Sequence, residues 1–269
     1  MMITIFTIAG SAVYAAEIPV SDQDQLITSS DWTEISNLQD EMKKEEPDAT
    51  IDYDKALKVY VDCNLIKLQT ADTKKLTSAL ESANYVWVIP FKMEKTYGMF
   101  TVAKGLPLRE EAKSVLTKAE QEEVKNHAGK WMITETAEHT VEPYYDILLE
   151  KREALSDCTR VVLVGSQPGM RQPVALGMDD ETARIWISLG YQYPVMEKIP
   201  ETQNVESGVY SFDSVAEISD TYIEDSEVST GAGVQSRSSM KYVAGIGIVL
   251  IGSILILSVL KKKKIKSED

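Results

Sequence analysis

Two rhythms of apolar and polar positions alternate along the chain, one suited to strands and one to helices. Ala56 to Val61 (Ala-Leu-Lys-Val-Tyr-Val) mixes β-branched and aromatic residues in a short run, as strands do. Thr70 or Asp72 can cap a helix that sets Leu76, Ala79 and Leu80 on one side. Asn84 to Met93 predicts a second strand. Pro90 within it predicts a sheet edge or a bulge, since proline brings no N–H to the ladder. Tyr97 to Ala103 returns as the other arm of a hairpin, after a turn at Glu94-Lys95-Thr96.

Leu108 to Leu116 and Thr117 to His127 read as two short helices. Thr117 with Glu120 forms a capping box, and Gly129 stands where a C-terminal cap glycine belongs. Trp131 to Thr136 is a strand and Val141 to Leu155 a helix, with Tyr145, Leu148, Leu149 and Arg152 three or four apart. Thr159 to Gly165 is the most apolar strand. Gln172 to Met178 and Thr182 to Leu189 follow it as a meander, after a turn at Gln167-Pro168-Gly169. The order β, α, ββ, αα, β, α, βββ predicts an α+β fold: a compact mixed domain with an antiparallel sheet and several short helices.

The flanks differ from this body. Residues 17–50 are acidic, with a short amphipathic helix expected from Asp31 to Glu46 and Pro47 beyond its end. Residues 194–240 read as a stalk or linker, interrupted by Pro194 and Pro200, with a short helix from Ser211 to Tyr222. The last 17 residues of the stalk, Glu224 to Met240, are rich in Ser, Thr, Gly and acid.

Beyond the stalk, Tyr242 to Leu260 carries no charge, and Lys261, Lys262, Lys263 and Lys264 follow it. At about 1.5 Å per residue such a helix is roughly 28 Å long, close to the hydrocarbon core of a bilayer. Residues 241–260 are therefore expected to be a C-terminal transmembrane helix. The lysines act as its stop-transfer signal and 261–269 form a basic cytoplasmic tail. Met1 to Ala16 is apolar but too short to span. It ends in Ala15-Ala16 before Glu17, which resembles a signal-peptidase site, although no Lys or Arg precedes the apolar run. This predicts a signal peptide at 1–16, an extracytoplasmic α+β domain at 51–193, and a type I, single-pass topology.

Charge sharpens the picture. Residues 17–240 hold 40 acidic and 22 basic side chains, a net of −18, whereas 241–269 carries +4. Such a surface repels nucleic acid and anionic polymers. The five tail lysines suit the anionic inner face of a membrane.

The candidate chemistry is sparse. Cys63 and Cys158 form an even pair in an oxidising compartment. A disulfide between them would contribute about 4–5 kcal/mol in the chain-entropy model; two buried free thiols are the alternative. Ser166, in Gly165-Ser166-Gln167-Pro168-Gly169, departs from the G-x-S-x-G elbow and sits in a turn between strands. His127 and His139 lie on different elements and build no zinc motif, and a helix end explains His127. Asp179-Asp180-Glu181 lacks the alternating ligands of a calcium loop and reads as a hairpin tip. Tyr144, Tyr145, Tyr191 and Tyr193 could supply a stacking surface, while Trp87, Trp131 and Trp186 fall at packing positions.

No catalytic, cofactor-binding or metal-ligating residue is assigned from sequence. The chain reads as a single-pass membrane-anchored cell-surface protein. Its acidic ectodomain binds, senses or assembles with an extracytoplasmic protein or polymer. The rival readings are a membrane-tethered hydrolase of envelope polymers using a carboxylate pair, and a wall-sorted surface protein. The sorting pentapeptide Leu-Pro-x-Thr-Gly is only echoed by Val228-Ser229-Thr230-Gly231.

Overall fold

The computed structural model describes residues 18–219, apart from 140–141, 166, 168–169, 171 and 191–192. The expected signal peptide, the stalk beyond 219, the span at 241–260 and the basic tail all lie outside the described residues. Among the described residues no helix is long and apolar enough to cross a membrane.

Ten strands form one sheet: β1 (Thr50–Ile51), β2 (Leu57–Tyr60), β3 (Tyr85–Lys92), β4 (Tyr97–Lys104), β5 (Trp131–His139), β6 (Arg160–Val164), β7 (Val174–Met178), β8 (Ala183–Ser188), β9 (Asn204–Glu206) and β10 (Val209–Ser211). Their order is β5-β4-β3-β2-β6-β7-β8-β10-β9, with β1 beside β3. Two antiparallel meanders, β2 to β5 and β6 to β8, meet at the parallel pair β2–β6. The helices are few: α1 (Trp32–Ile35), α2 (Gln39–Glu45), α3 (Thr73–Glu81), α4 (Glu110–Lys113), α5 (Lys118–His127) and α6 (Tyr144–Glu150). Residues 212–219 are also helical. The protein is thus mixed α/β, with a large sheet.

Side chains alternate across this sheet, so it has two apolar faces. One carries Leu57, Val59, Val161, Leu163, Ala175 and Ile187 and is covered by Tyr144 and Leu148 of α6. The opposite face is covered in two patches. Leu76 and Leu80 of α3, with Met196, Phe212 and Val215, pack on Val162, Val164, Leu176 and Trp186. Leu26, Ile35 and Met42 of the N-terminal segment pack on Trp87, Ile89, Phe91, Phe100 and Ile133.

Several expectations shift. The folded body is larger than 51–193, because residues 18–49 and 194–215 bury apolar side chains and add β9 and β10 to the sheet. The helix expected over Asp31 to Glu46 is broken by a 3₁₀ turn at Ser36–Leu38. Pro90 lies in an internal strand. It falls at the gap where β1 succeeds β2 as the neighbour of β3, and its carbonyl accepts from Asp52 N–H at 2.9 Å. The missing N–H thus interrupts no continuous ladder. Gly98 of β4 pairs with Phe91, whose ring covers it so closely that a Cβ would lie 2.1 Å from Cζ. The capping box at Thr117 forms as expected, and Gly129 takes a positive φ of 76°.

Candidate functional site

At their N-terminal ends the central strands β2 and β6 part, and the chain's N-terminal segment fills the fork. Val20 bridges Val161 on one side, and Gln25 bridges Leu57 on the other. This places Asp24, only 2% exposed, against the side chains of both strands. Its carboxylate accepts hydrogen bonds from Ser21 Oγ (2.6 Å), Tyr60 Oη (2.8 Å) and Arg160 Nη2 (3.0 Å). Lys58 Nζ stands 3.8 Å from Asp24 Oδ1.

Register explains the rest of the cluster. Lys58 lies opposite Trp87, and Tyr60 opposite Tyr85. The four side chains share one face of the sheet, between the two apolar patches. Lys58 Nζ lies 4.5 Å from the Tyr85 ring centre, 5.2 Å from Trp87 and 5.9 Å from Tyr60. These are cation–π distances. Asp31, at the start of α1, accepts from Tyr85 Oη (2.8 Å) and Trp87 Nε1 (3.0 Å). Burial lowers the pKa of Lys58, opposed by the negative charges of Asp24 and Asp31. Burial raises Tyr60 and Tyr85, with Asp24 and Asp31 as the respective second causes. Arg160 Nε and Trp131 Nε1 are buried without a hydrogen-bond partner among the described residues.

The cluster was not singled out in the sequence. Its one local signal is Lys58, a cation at an inward position of an apolar strand. Asp24 and Arg160 are brought to it only by the fold. The residues weighed from sequence stand elsewhere. Cys63 and Cys158 are free thiols in the structure, buried on opposite faces of the sheet. Burial pushes each thiol up to about 11. Ser166, Tyr191, Ala15, Ala16 and Lys261 to Lys264 lie outside the described residues.

Gln167, beside Ser166, is the structural member of that turn. Its side chain donates to Cys63 O (2.6 Å) and Gly165 O (3.0 Å) and accepts from Leu65 N–H (3.0 Å). Asp179 uses Oδ1 for the N–H groups of Glu181 and Thr182 and pairs Oδ2 with Arg184, as a hairpin tip does. His127 ends α5, and His139 ends β5 opposite Tyr97. Tyr144, Tyr193, Trp87, Trp131 and Trp186 are core.

Two shallow concavities lie away from the fork. One, of about 490 Å³, is lined by Ala154, Asp157, Cys158, Arg184, Ile185 and Val205. The other, of about 270 Å³, lies between Ile66–Ala71 and the helical residues 212–217. Among the described residues no group of three or more His, Cys, Asp or Glu is arranged to hold a metal ion. Comparison with known proteins gives no match to any family model, curated protein or solved structure.

Proposed function

We propose that this chain is a single-pass, membrane-anchored cell-surface protein whose acidic ectodomain binds, senses or assembles with an extracytoplasmic partner. The observation that carries the reading is the uncharged run from Tyr242 to Leu260, closed by four lysines. The polar run from Glu224 to Met240, taken as a flexible coil, would span roughly 20–25 Å root-mean-square between the ectodomain and the lipid. The net −18 of residues 17–240 suits a soluble exported domain and a cationic partner.

The test is protease added to intact cells expressing the chain with a C-terminal epitope. Loss of residues 17–240, with a protected membrane-bound tail fragment, is expected. Deletion of 241–260 should release the ectodomain into the medium. A full-length product that stays protease-resistant on intact cells, or that is extracted without detergent, would overturn the reading.

A further inference from the structure

The fork brings an amine and a carboxyl group together in surroundings that favour their condensation. Lys58 Nζ and Asp24 Oδ1 are 3.8 Å apart, with side-chain exposures of 11% and 2%. Lys58 leans on the faces of Tyr85 and Trp87, which shed water from the amine without offering it an acceptor. Transfer of a proton from the ammonium to the carboxylate would neutralise the Lys58–Asp24 pair in a poorly solvated place, while Arg160 keeps Oδ2 as a hydrogen-bond acceptor. What remains is a nucleophilic amine facing a carboxylic acid. Closing Nζ onto Cγ to the ~3–3.5 Å of a near-attack contact is a small movement for a lysine with four side-chain torsions.

The geometry points to Lys58 and Asp24 as a self-condensing pair that forms an intramolecular isopeptide bond between Nζ and Cγ. The lone pair of the neutral amine attacks Cγ, and the carbonyl electron pair moves onto oxygen. Arg160 Nη2 and Ser21 Oγ hold Oδ2, and Tyr60 Oη holds Oδ1, so donors already surround the oxygens on which charge develops. The Arg160 pairing retains Oδ2 and leaves Oδ1 to depart. A proton from nitrogen passes to Oδ1, the Cγ–Oδ1 bond breaks, and water leaves. Ammonium plus carboxylate become amide plus water, with no oxidant and no other reactant. Asp31 is the positioning carboxylate: its charge acts on Lys58, and it is fixed by Tyr85 and Trp87. The bond would clamp the N-terminal segment to β2, a covalent brace that the separated cysteines do not provide. It stands independently of membrane anchoring.

The experiment is mass spectrometry of the full-length chain, purified in detergent and digested with trypsin after denaturation. The peptide containing Asp24 and the peptide running through Lys58 are expected as one joined species, lighter than their sum by one water. Fragmentation should place the link at Asp24 and Lys58, and trypsin should no longer cut after Lys58. Lys58→Arg, which keeps the charge but removes the amine, should abolish the species, and Asp31→Asn should slow its appearance. Unlinked peptides from protein whose fold is verified by circular dichroism would overturn the proposal. So would a joined species that survives Lys58→Arg, or loss of water confined to the Asp24 peptide alone. Fragment sequencing of the wild-type chain locates the bond even if a variant fails to fold.

Discussion

On one face of the sheet, two neighbouring regions solve the burial problem in opposite ways. The half built on β6, β7 and β8 is apolar: β7 is buried at every position, and Trp186 stacks on Phe212 at 5.8 Å. A strand or two away, the fork between β2 and β6 holds Asp24, Lys58, Arg160, Tyr60 and Asp31. The apolar half gains from removing surface from water, which any well-shaped hydrophobic residue can do. The fork gains little from burial itself, because each ion loses hydration. It holds only while every partner is present. The first region tolerates substitution in degree; the second should fail as a unit.

The largest expected effects test that contrast directly. Trp186→Ala and Asp24→Ala should each cost about 3–5 kcal/mol, the first by a cavity and the second by leaving Arg160 and Lys58 unpaired. Denaturant midpoints should separate them on rescue. Trp186→Phe should recover most of its loss, whereas Asp24→Leu should recover little, because apolar volume does not answer a half-buried guanidinium. If Asp24→Leu were as stable as wild type, the fork would be no more than another part of the core.

Gly177 of β7 offers a finer test on the opposite face of the sheet, which is also apolar. A Cβ there would meet Cys158 Sγ at 2.8 Å and Ile185 Cγ1 at 2.9 Å. Gly177→Ala should cost about 1–3 kcal/mol through overpacking. Adding Cys158→Ala should return part of that loss, so the two changes should couple rather than add.

Alkaline pH sharpens the comparison by direction. Tyr60 and Tyr85 in the fork have raised pKa values, and Cys63 and Cys158 are pushed from 9.0 up to about 11. The folded chain holds these protons after the unfolded chain has released them. The contribution of the thiols is therefore full below about pH 9 and lost as pH rises through 11, whereas that of the tyrosines is full up to about pH 10 and falls only above it. In chains where Lys58 is unlinked, its amine, lowered by burial, works in the opposite sense and offsets part of the loss. Unfolding midpoints should fall across pH 9–11, and the native thiols should react slowly with disulfide reagents at pH 8. Midpoints that stay flat over that range would remove the thiols from the account.

The smallest effect is expected off the sheet edge. α5 buries no side chain, although its capping box is complete. Thr117→Ala should speed amide exchange over the first turn of α5 and shift the global midpoint by less than about 0.5 kcal/mol. A larger shift would mean that this excursion stabilises the body of the protein.

Much of the architecture was legible in the chain, and the reason is local. The strand runs at 56–61, 84–93 and 97–103, the cap at Asp72 and the box at Thr117 depend on neighbours a few residues away. The share of the N-terminal segment in the core was not legible. Leu26, Ile35 and Met42 look like any amphipathic stripe until the face of β3 and β4 lies beneath them. Lys58 passed as one residue of an apolar strand, and its neighbours come from positions 24, 31, 85, 87 and 160.

The sequence by itself settled the central strands and most of the helices between them, because propensity, capping and turn chemistry act over single turns and single strands. It also carries the charge contrast and the apolar run on which the proposed anchoring rests. Only the tertiary structure decided that β2 meets β6 in parallel, that the cysteines face opposite ways, and that Asp24 is brought to Lys58. Those outcomes follow from which strand pairs with which. That choice is made by the sum of many distant contacts, and no short stretch of residues records it.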